Sequence, residues 1–218
     1  MPISEVECCD CMDFMAKFPD KFFDLAIVDP PYGLDKRLES GGGKMRNTPF
    51  KKLYREGNKW DKIPEAEYWN MLFRVSKNQI VWGGNYFPLP PTRGIICWDK
   101  KQALPTFSRW EYAWTSFDMP AKMFEGVSTD NKRIHPTQKP VALYIWLLEN
   151  YAKPGDKILD THMGSQSSRI AAWKMGFDYW GCEIDPEYFA QGCARFKEER
   201  RQLSLFTPPE KPKQEALF

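Results

Sequence analysis

The chain has 218 residues, 42% hydrophobic and 28% charged, enough for one soluble domain with a sizeable core. A formal charge of +2 excludes general attraction to polyanions, so affinity for one must come from local basic patches. Met1 to Lys17 holds acids and cysteines where a signal peptide needs a basic end and an apolar stretch, and no run of about 18 apolar residues occurs. The expectation is a cytoplasmic protein with no membrane partner.

In chain order, Cys8, Cys9 and Cys11 cluster near the start, while Cys97, Cys182 and Cys193 stand alone. Neither His135 nor His162 lies at zinc-finger spacing from them, so reduced thiols are expected and no metal. The first β-rich run, Phe23 to Val28, ends in "DPPYG", Asp29 to Gly33. Pro30 and Pro31 fix φ and lack N–H groups, so this turn offers carbonyl acceptors without competing donors. Asp29 adds a carboxylate and Tyr32 an aromatic face, an arrangement suited to a flat heterocycle bearing an exocyclic NH2; a capped proline turn is the plainer alternative.

Leu34 to Lys59 loses periodicity, contains "SGGGK" and holds eight Lys or Arg against three acids. A second β-rich run covers Gln79 to Trp82. In 99–133, Trp110, Tyr112, Trp114 and Phe117 interleave with Lys100, Lys101, Arg109 and Arg133. Lys157 to Leu159 then leads into "DTHMGSQSSRIAAWKMG", followed by "FDYWGCEID". Strand, turn, helix, glycine and strand in that order predict a βαβ unit of a parallel α/β sheet, whose ligands bind beyond the carboxyl ends of the strands. Asp29, Asp160 and Glu183 each close such a run. Gly164 and the hydroxyl residues open a helix where backbone amides are exposed, and Glu183, about twenty residues on, suits a ribose, which together suggest an adenosine-containing cofactor.

In these motifs the chain resembles the β-class amino-methyltransferases, which modify exocyclic nitrogens of DNA bases using S-adenosylmethionine. Asp29-Pro30-Pro31-Tyr32 matches their catalytic motif, "DTHMGSQSS" resembles their cofactor loop, and "HPTQKP", His135 to Pro140, resembles the segment before it. The catalytic motif lies upstream of the cofactor loop, the circularly permuted order of that class. The resemblance covers the chain to about Phe196. It implies a Rossmann-like methyltransferase fold, a mostly parallel central sheet with helices on both faces, with 1–206 as catalytic domain and 207–218 as flexible tail.

The resemblance implies methyl transfer to N6 of a flipped adenine in double-stranded DNA at a short sequence, as in restriction-modification. Asp29, Pro30, Pro31 and Tyr32 would be catalytic. Asp10 and Cys11, Asp29, Lys139, Asp160, Met163, Gly164, Ser165, Glu183 and Ile184 would line the cofactor site: Asp10 toward the adenine ring, Glu183 toward the ribose, and Asp160, Gly164 and Ser165 toward the methionine portion. Lys139 is a candidate partner for the cofactor carboxylate, with a solvated lysine as its alternative. Gln166 stands where glycine is usual and is expected to narrow the cofactor pocket. His162 stands where the family often has Phe, which makes it a packing or loop residue.

DNA contacts are expected from the basic loop, 34–59, disordered without DNA, through Lys36, Arg37, Lys44, Arg46, Lys51, Lys52 and Arg55. Arg109 belongs to a small target-recognition region over 99–133, whose aromatics could instead be core or a homodimer face. Two tail segments, "QLSLF" (Gln202, Leu205, Phe206) and "QEALF" (Gln214, Leu217, Phe218), resemble the peptide by which bacterial proteins dock on the sliding clamp. A cytosine-N4 enzyme, more typically with Ser at position 29, an RNA methyltransferase, and an inactive DNA-binding module tethered to the clamp stay open as alternatives.

Overall fold

Seven short apolar runs point the same way across a single sheet in the computed structural model, which describes residues 1–33, 62–101, 108–127 and 133–206, with side chains to 201. The strands are β1 (Ser4–Cys8), β2 (Phe23–Val28), β3 (Ser76–Trp82), β4 (Ile95–Asp99), β5 (Trp110–Thr115), β6 (Lys122–Glu125), β7 (Lys157–Asp160) and β8 (Asp178–Glu183). Their order in the sheet is β1-β8-β7-β2-β3-β5-β4-β6. All neighbours pair in parallel except β5, which lies antiparallel between β3 and β4. The helices among the described residues are α1 (Cys11–Ala16), α2 (Ala66–Val75), α3 (Val141–Tyr151), α4 (Ser167–Met175) and α5 (Pro186–Phe206).

Alternation along the central strands divides the core in two. Leu25 and Ile27 of β2, with Ile80 and Trp82 of β3, face Leu143 and Leu147 of α3 and Ala171 and Ala172 of α4. Ala26, Val28 and Val81 face the other way, onto Phe14 and Met15 of α1 and Tyr68, Trp69 and Leu72 of α2. A sheet buried on both faces needs apolar residues at both parities, which is why β2 reads as a continuous apolar run. Helices therefore cover both faces, as the sequence implies.

Two expectations about organisation meet different outcomes. The runs at 23–28, 79–82, 157–159 and 177–185 are strands within a residue or a few of the expected bounds. In the described part of 99–133, β5 and β6 extend the central sheet, and of the alternatives for its aromatics a place in the core holds for Trp114, which is buried, while Phe117 packs on Tyr151.

Candidate active site

Parallel strands bring their carboxyl ends to one edge, and the chain places acids there. Asp29 follows β2, Asp160 ends β7, Glu183 ends β8 and Asp10 follows β1, where it caps α1 by accepting the Met12 N–H at 2.7 Å. β5 runs the opposite way, so its start joins the same edge and Glu111, beside Trp98 of β4, enters the group.

Asp29 is the centre. Tyr32 donates its hydroxyl to Asp29 Oδ1 at 2.6 Å, and Lys139 Nζ donates to Oδ2. The Lys139 side chain is 3% exposed, lies 5.1 Å from the centroid of the Trp82 ring, and places Nζ 3.1 Å from Glu111 Oε2. Lys100 pairs with Glu111 Oε1 at 2.5 Å. Burial opposes a charge on Lys139, but Asp29 and Glu111 hold its ammonium above its ordinary range. Burial likewise opposes a charge on Glu111, and Lys139 with Lys100 overcomes it, holding the carboxyl below the usual carboxylate range. Burial, and then the Asp29 charge, pushes the Tyr32 hydroxyl well up, so it acts as a donor.

The structure excludes one of the two sequence readings of Lys139: it is not a solvated lysine, since its buried ammonium is engaged by two protein carboxylates at the place where the resemblance implies a cofactor carboxylate. A buried ammonium needs such partners, and "HPTQKP" by itself does not say which acids they are.

Tyr32 sits on a built platform. Its ring stacks on Tyr86, with centroids 4.9 Å apart and planes at 18°, and meets Phe87 edge-on at 5.9 Å. Gly83 ends β3 at φ +69°, and a Cβ there would come within 2.2 Å of Tyr32 Cε1. Only glycine accepts both that conformation and that approach.

The second half of the edge is the loop after β7. Asp160 is 2% exposed; its oxygens accept from His162 N–H at 3.0 Å and Ser168 Oγ at 2.6 Å, and burial raises its carboxyl to about 7. It shapes the loop from within. Glu183 closes the loop from β8, accepting from Gly164 N–H at 2.8 Å and Asp185 N–H at 3.0 Å. Ser165 and Met163 are each 4% exposed, whereas Ile184 beside Glu183 is 54% exposed and Cys11 is half-buried. His135 packs its ring under Gly164 and against Tyr188, with ring centroids 4.4 Å apart. That joins "HPTQKP" to the loop. His162 is half-buried against Tyr68, and its loss of water contact lowers its imidazole to about 4, in keeping with a loop residue.

Gln166 corrects an expectation. Its backbone is left-handed, φ 59°, and its fully buried side chain turns into α5 rather than narrowing a pocket. Nε2 donates to the Phe189 carbonyl at 3.3 Å, Oε1 accepts from Arg169 at 2.9 Å, and the side chain lies against Gly192.

Other expected contacts fare differently. Arg109 is exposed and reaches Asp99 at 3.4 Å, Lys101 pairs with Glu125, and Trp110 alone of the four aromatics in its segment is exposed. Lys36, Arg37, Lys44, Arg46, Lys51, Lys52 and Arg55 lie outside the described residues, as do Gln214, Leu217 and Phe218. Gln202, Leu205 and Phe206 fall in the last turns of α5, where the side chains lie outside the description. Glu111 and Tyr86 were passed over in the sequence: each sits inside an aromatic-rich strand or turn with no motif to mark it.

The edge can be weighed against an adenosine-bearing cofactor by its donor set. Asp10 and Glu183 offer carboxylate acceptors at the ends of adjacent strands, and Ile184 an exposed apolar surface between strand and helix. Acceptors for the hydroxyl and amino groups of an adenosine and an apolar wall for its ring fit that group.

Residues 81–193, half of the chain, match the DNA methylase family of N6 and N4 enzymes. The chain belongs to that family. As a DNA methylase it is 28% identical to YubD of Escherichia coli strain K12, a protein that carries the name methylase, over 89% of its own length and 90% of YubD. Its fold is shared with M1.HpyAVI in complex with SAM, at a TM-score of 0.58 and 16% identity over 88% of this chain and 98% of that one. It is also shared with the cytosine-N4-specific PvuII DNA methyltransferase, at a TM-score of 0.55 and 13% identity over 93% of each chain.

Proposed function

We propose that this DNA methylase transfers the methyl group of S-adenosylmethionine to N6 of an adenine flipped out of double-stranded DNA at a short recognition sequence, as a β-class enzyme with its catalytic motif upstream of its cofactor loop. The observation that carries the reading is Asp29, a carboxylate anchored from two sides at the carboxyl edge beside an aromatic platform.

An exocyclic amino nitrogen is a poor nucleophile because its lone pair is delocalised into the ring. Each Asp29 oxygen has spent one lone pair on Tyr32 or Lys139 and keeps capacity for a further donor. Accepting an amino hydrogen there, and a second on the Pro30 carbonyl, draws electron density back onto nitrogen and orients it. Pro31 stiffens the turn, and Tyr32 supplies the face that replaces stacking lost on flipping. When bound, S-adenosylmethionine supplies the electrophilic sulfonium methyl. Asp10, Cys11, Glu183 and Ile184 would hold its adenosine, while Met163, Gly164 and Ser165, shaped by Asp160, would lie along its methionine portion. Arg109 and the basic residues of 34–59 would meet phosphates.

Labelled cofactor and unmethylated duplex DNA, followed by nucleoside mass analysis, test the reading. N6-methyladenine is expected. Methylation of cytosine N4 alone, or of RNA alone, overturns it. Asp29→Ala should lower transfer by at least about 100-fold, the order seen when a transition-state contact is removed, with cofactor binding within about threefold.

A further inference from the structure

Glu111 is a half-buried carboxylate with no role in the reaction described above, yet its buried Oε2 lies one ammonium group away from Asp29. Asp29, Lys139, Glu111 and Lys100 form a row of alternating charge, drawn from the end of β2, the segment before α3, the start of β5 and the end of β4. Glu111 Oε2 is buried and forms an ion pair with Lys139 Nζ at 3.1 Å. It therefore acts on Lys139 through charge, in a site where water screens little.

We infer that Glu111 is a positioning residue for methyl transfer: by sharing the Lys139 ammonium with Asp29 it keeps the Asp29 carboxylate from being neutralised. The inference rests on the methyl-transfer reading. As the amino nitrogen forms its new bond to the methyl carbon, positive charge develops on the base beside Asp29. An Asp29–Lys139 pair alone is neutral and attracts that charge weakly. With Glu111 added, the three groups nearest the base carry one net negative charge; Lys100 balances it only from the far end of the row, so the transition state is favoured over the neutral base. Lys139 also fixes Asp29 Oδ2, so Glu111 holds the holder in place. Lys100 draws on the outer oxygen, Oε1, leaving Oε2 for Lys139.

Glu111→Gln keeps the shape and removes the charge, whereas Glu111→Asp keeps the charge and shortens the chain. Single-turnover methyl transfer to unmethylated duplex DNA, with labelled S-adenosylmethionine and the full chain, should fall about 10- to 100-fold in Glu111→Gln, the size typical of a residue that acts through a directly engaged neighbour. KM for DNA and the Kd of the cofactor should stay within about threefold, and Glu111→Asp should keep the rate within about threefold. A role in packing alone reverses that order, because the isosteric amide would then be the milder change. A Glu111→Gln rate equal to wild type, or a rate lost in Glu111→Asp with cofactor binding intact, overturns the inference. If the amide variant does not fold, the aspartate variant decides by the same criterion. If the wild-type chain binds cofactor and methylates no DNA, the parent reading falls and this inference with it.

Discussion

The ring of Tyr86 lies flat on that of Tyr32, centroids 4.9 Å apart and planes within 18° of parallel. That spacing leaves no gap for a third ring. A base seated on that face of Tyr32 must displace Tyr86, which is 44% exposed in a single 3₁₀ turn, Gly84–Tyr86, and can then close on the outer face of the base. Base-aromatic stacking is worth about 1–3 kcal/mol by alanine substitution. Tyr86→Ala should therefore lower kcat/KM for DNA by about 10- to 100-fold, mainly through KM, with cofactor binding unchanged, and Tyr86→Phe should match wild type. A rise in kcat/KM for Tyr86→Ala would instead make Tyr86 a plug with no stacking role.

What could be read from the sequence follows from where chemistry leaves a local trace. An apolar run that stops at an acid marks the carboxyl end of a buried parallel strand, so Asp29, Asp160 and Glu183 were legible as one edge before any coordinates. Glu111 left no such trace, since "WEYAWT" reads as an aromatic strand and only the antiparallel insertion of β5 carries its first residues to that edge. Lys139 was legible as part of a motif, but its partners come from β2 and β5, far away in sequence. The region 99–133 was ambiguous for a related reason. Aromatics alternating with charges suit both a nucleic-acid surface and a strand with one buried face, and the pairing of β5 with β3 and β4 shows the strand.

Gln166 combines an unfavourable backbone with a well-used side chain. A left-handed conformation costs a residue with a Cβ about 1 kcal/mol, which Gln166→Gly would recover. The same change removes the bonds to Phe189 and Arg169 and opens a void beside Gly192, at about 1–3 kcal/mol for each buried group left unpaired. The balance predicts a net loss of about 1–5 kcal/mol, or roughly 2–20 °C in Tm for a chain of this size. Because the side chain faces α5, the Kd for S-adenosylmethionine should stay within about twofold. A glycine variant that is more stable than wild type, or that binds the cofactor much more tightly, would contradict this placement.

His162 gives the stability of the loop a pH dependence whose sign can be worked out. Burial lowers its imidazole from the ordinary 6.5 to about 4 in the folded chain. Between those values the unfolded chain binds a proton that the folded chain does not, so folding stability from this residue is present above pH 6.5 and is lost as pH falls toward 4. At pH 5 the loss is about 2 kcal/mol, since each pH unit in that window is worth about 1.4 kcal/mol. Asp160, raised to about 7 by burial, works in the opposite sense, losing stability as pH rises from 4 toward 7, and His135, lowered to about 4, adds to the effect of His162. Both residues are common to wild type and a His162→Phe variant, so their contributions cancel when the two are compared. Calorimetric Tm values at pH 8 and pH 5 should show His162→Phe gaining on wild type by about 4–8 °C as pH is lowered. A difference between variant and wild type that is the same at both pH values would mean that His162 takes up its proton as readily in the folded chain as in the unfolded one.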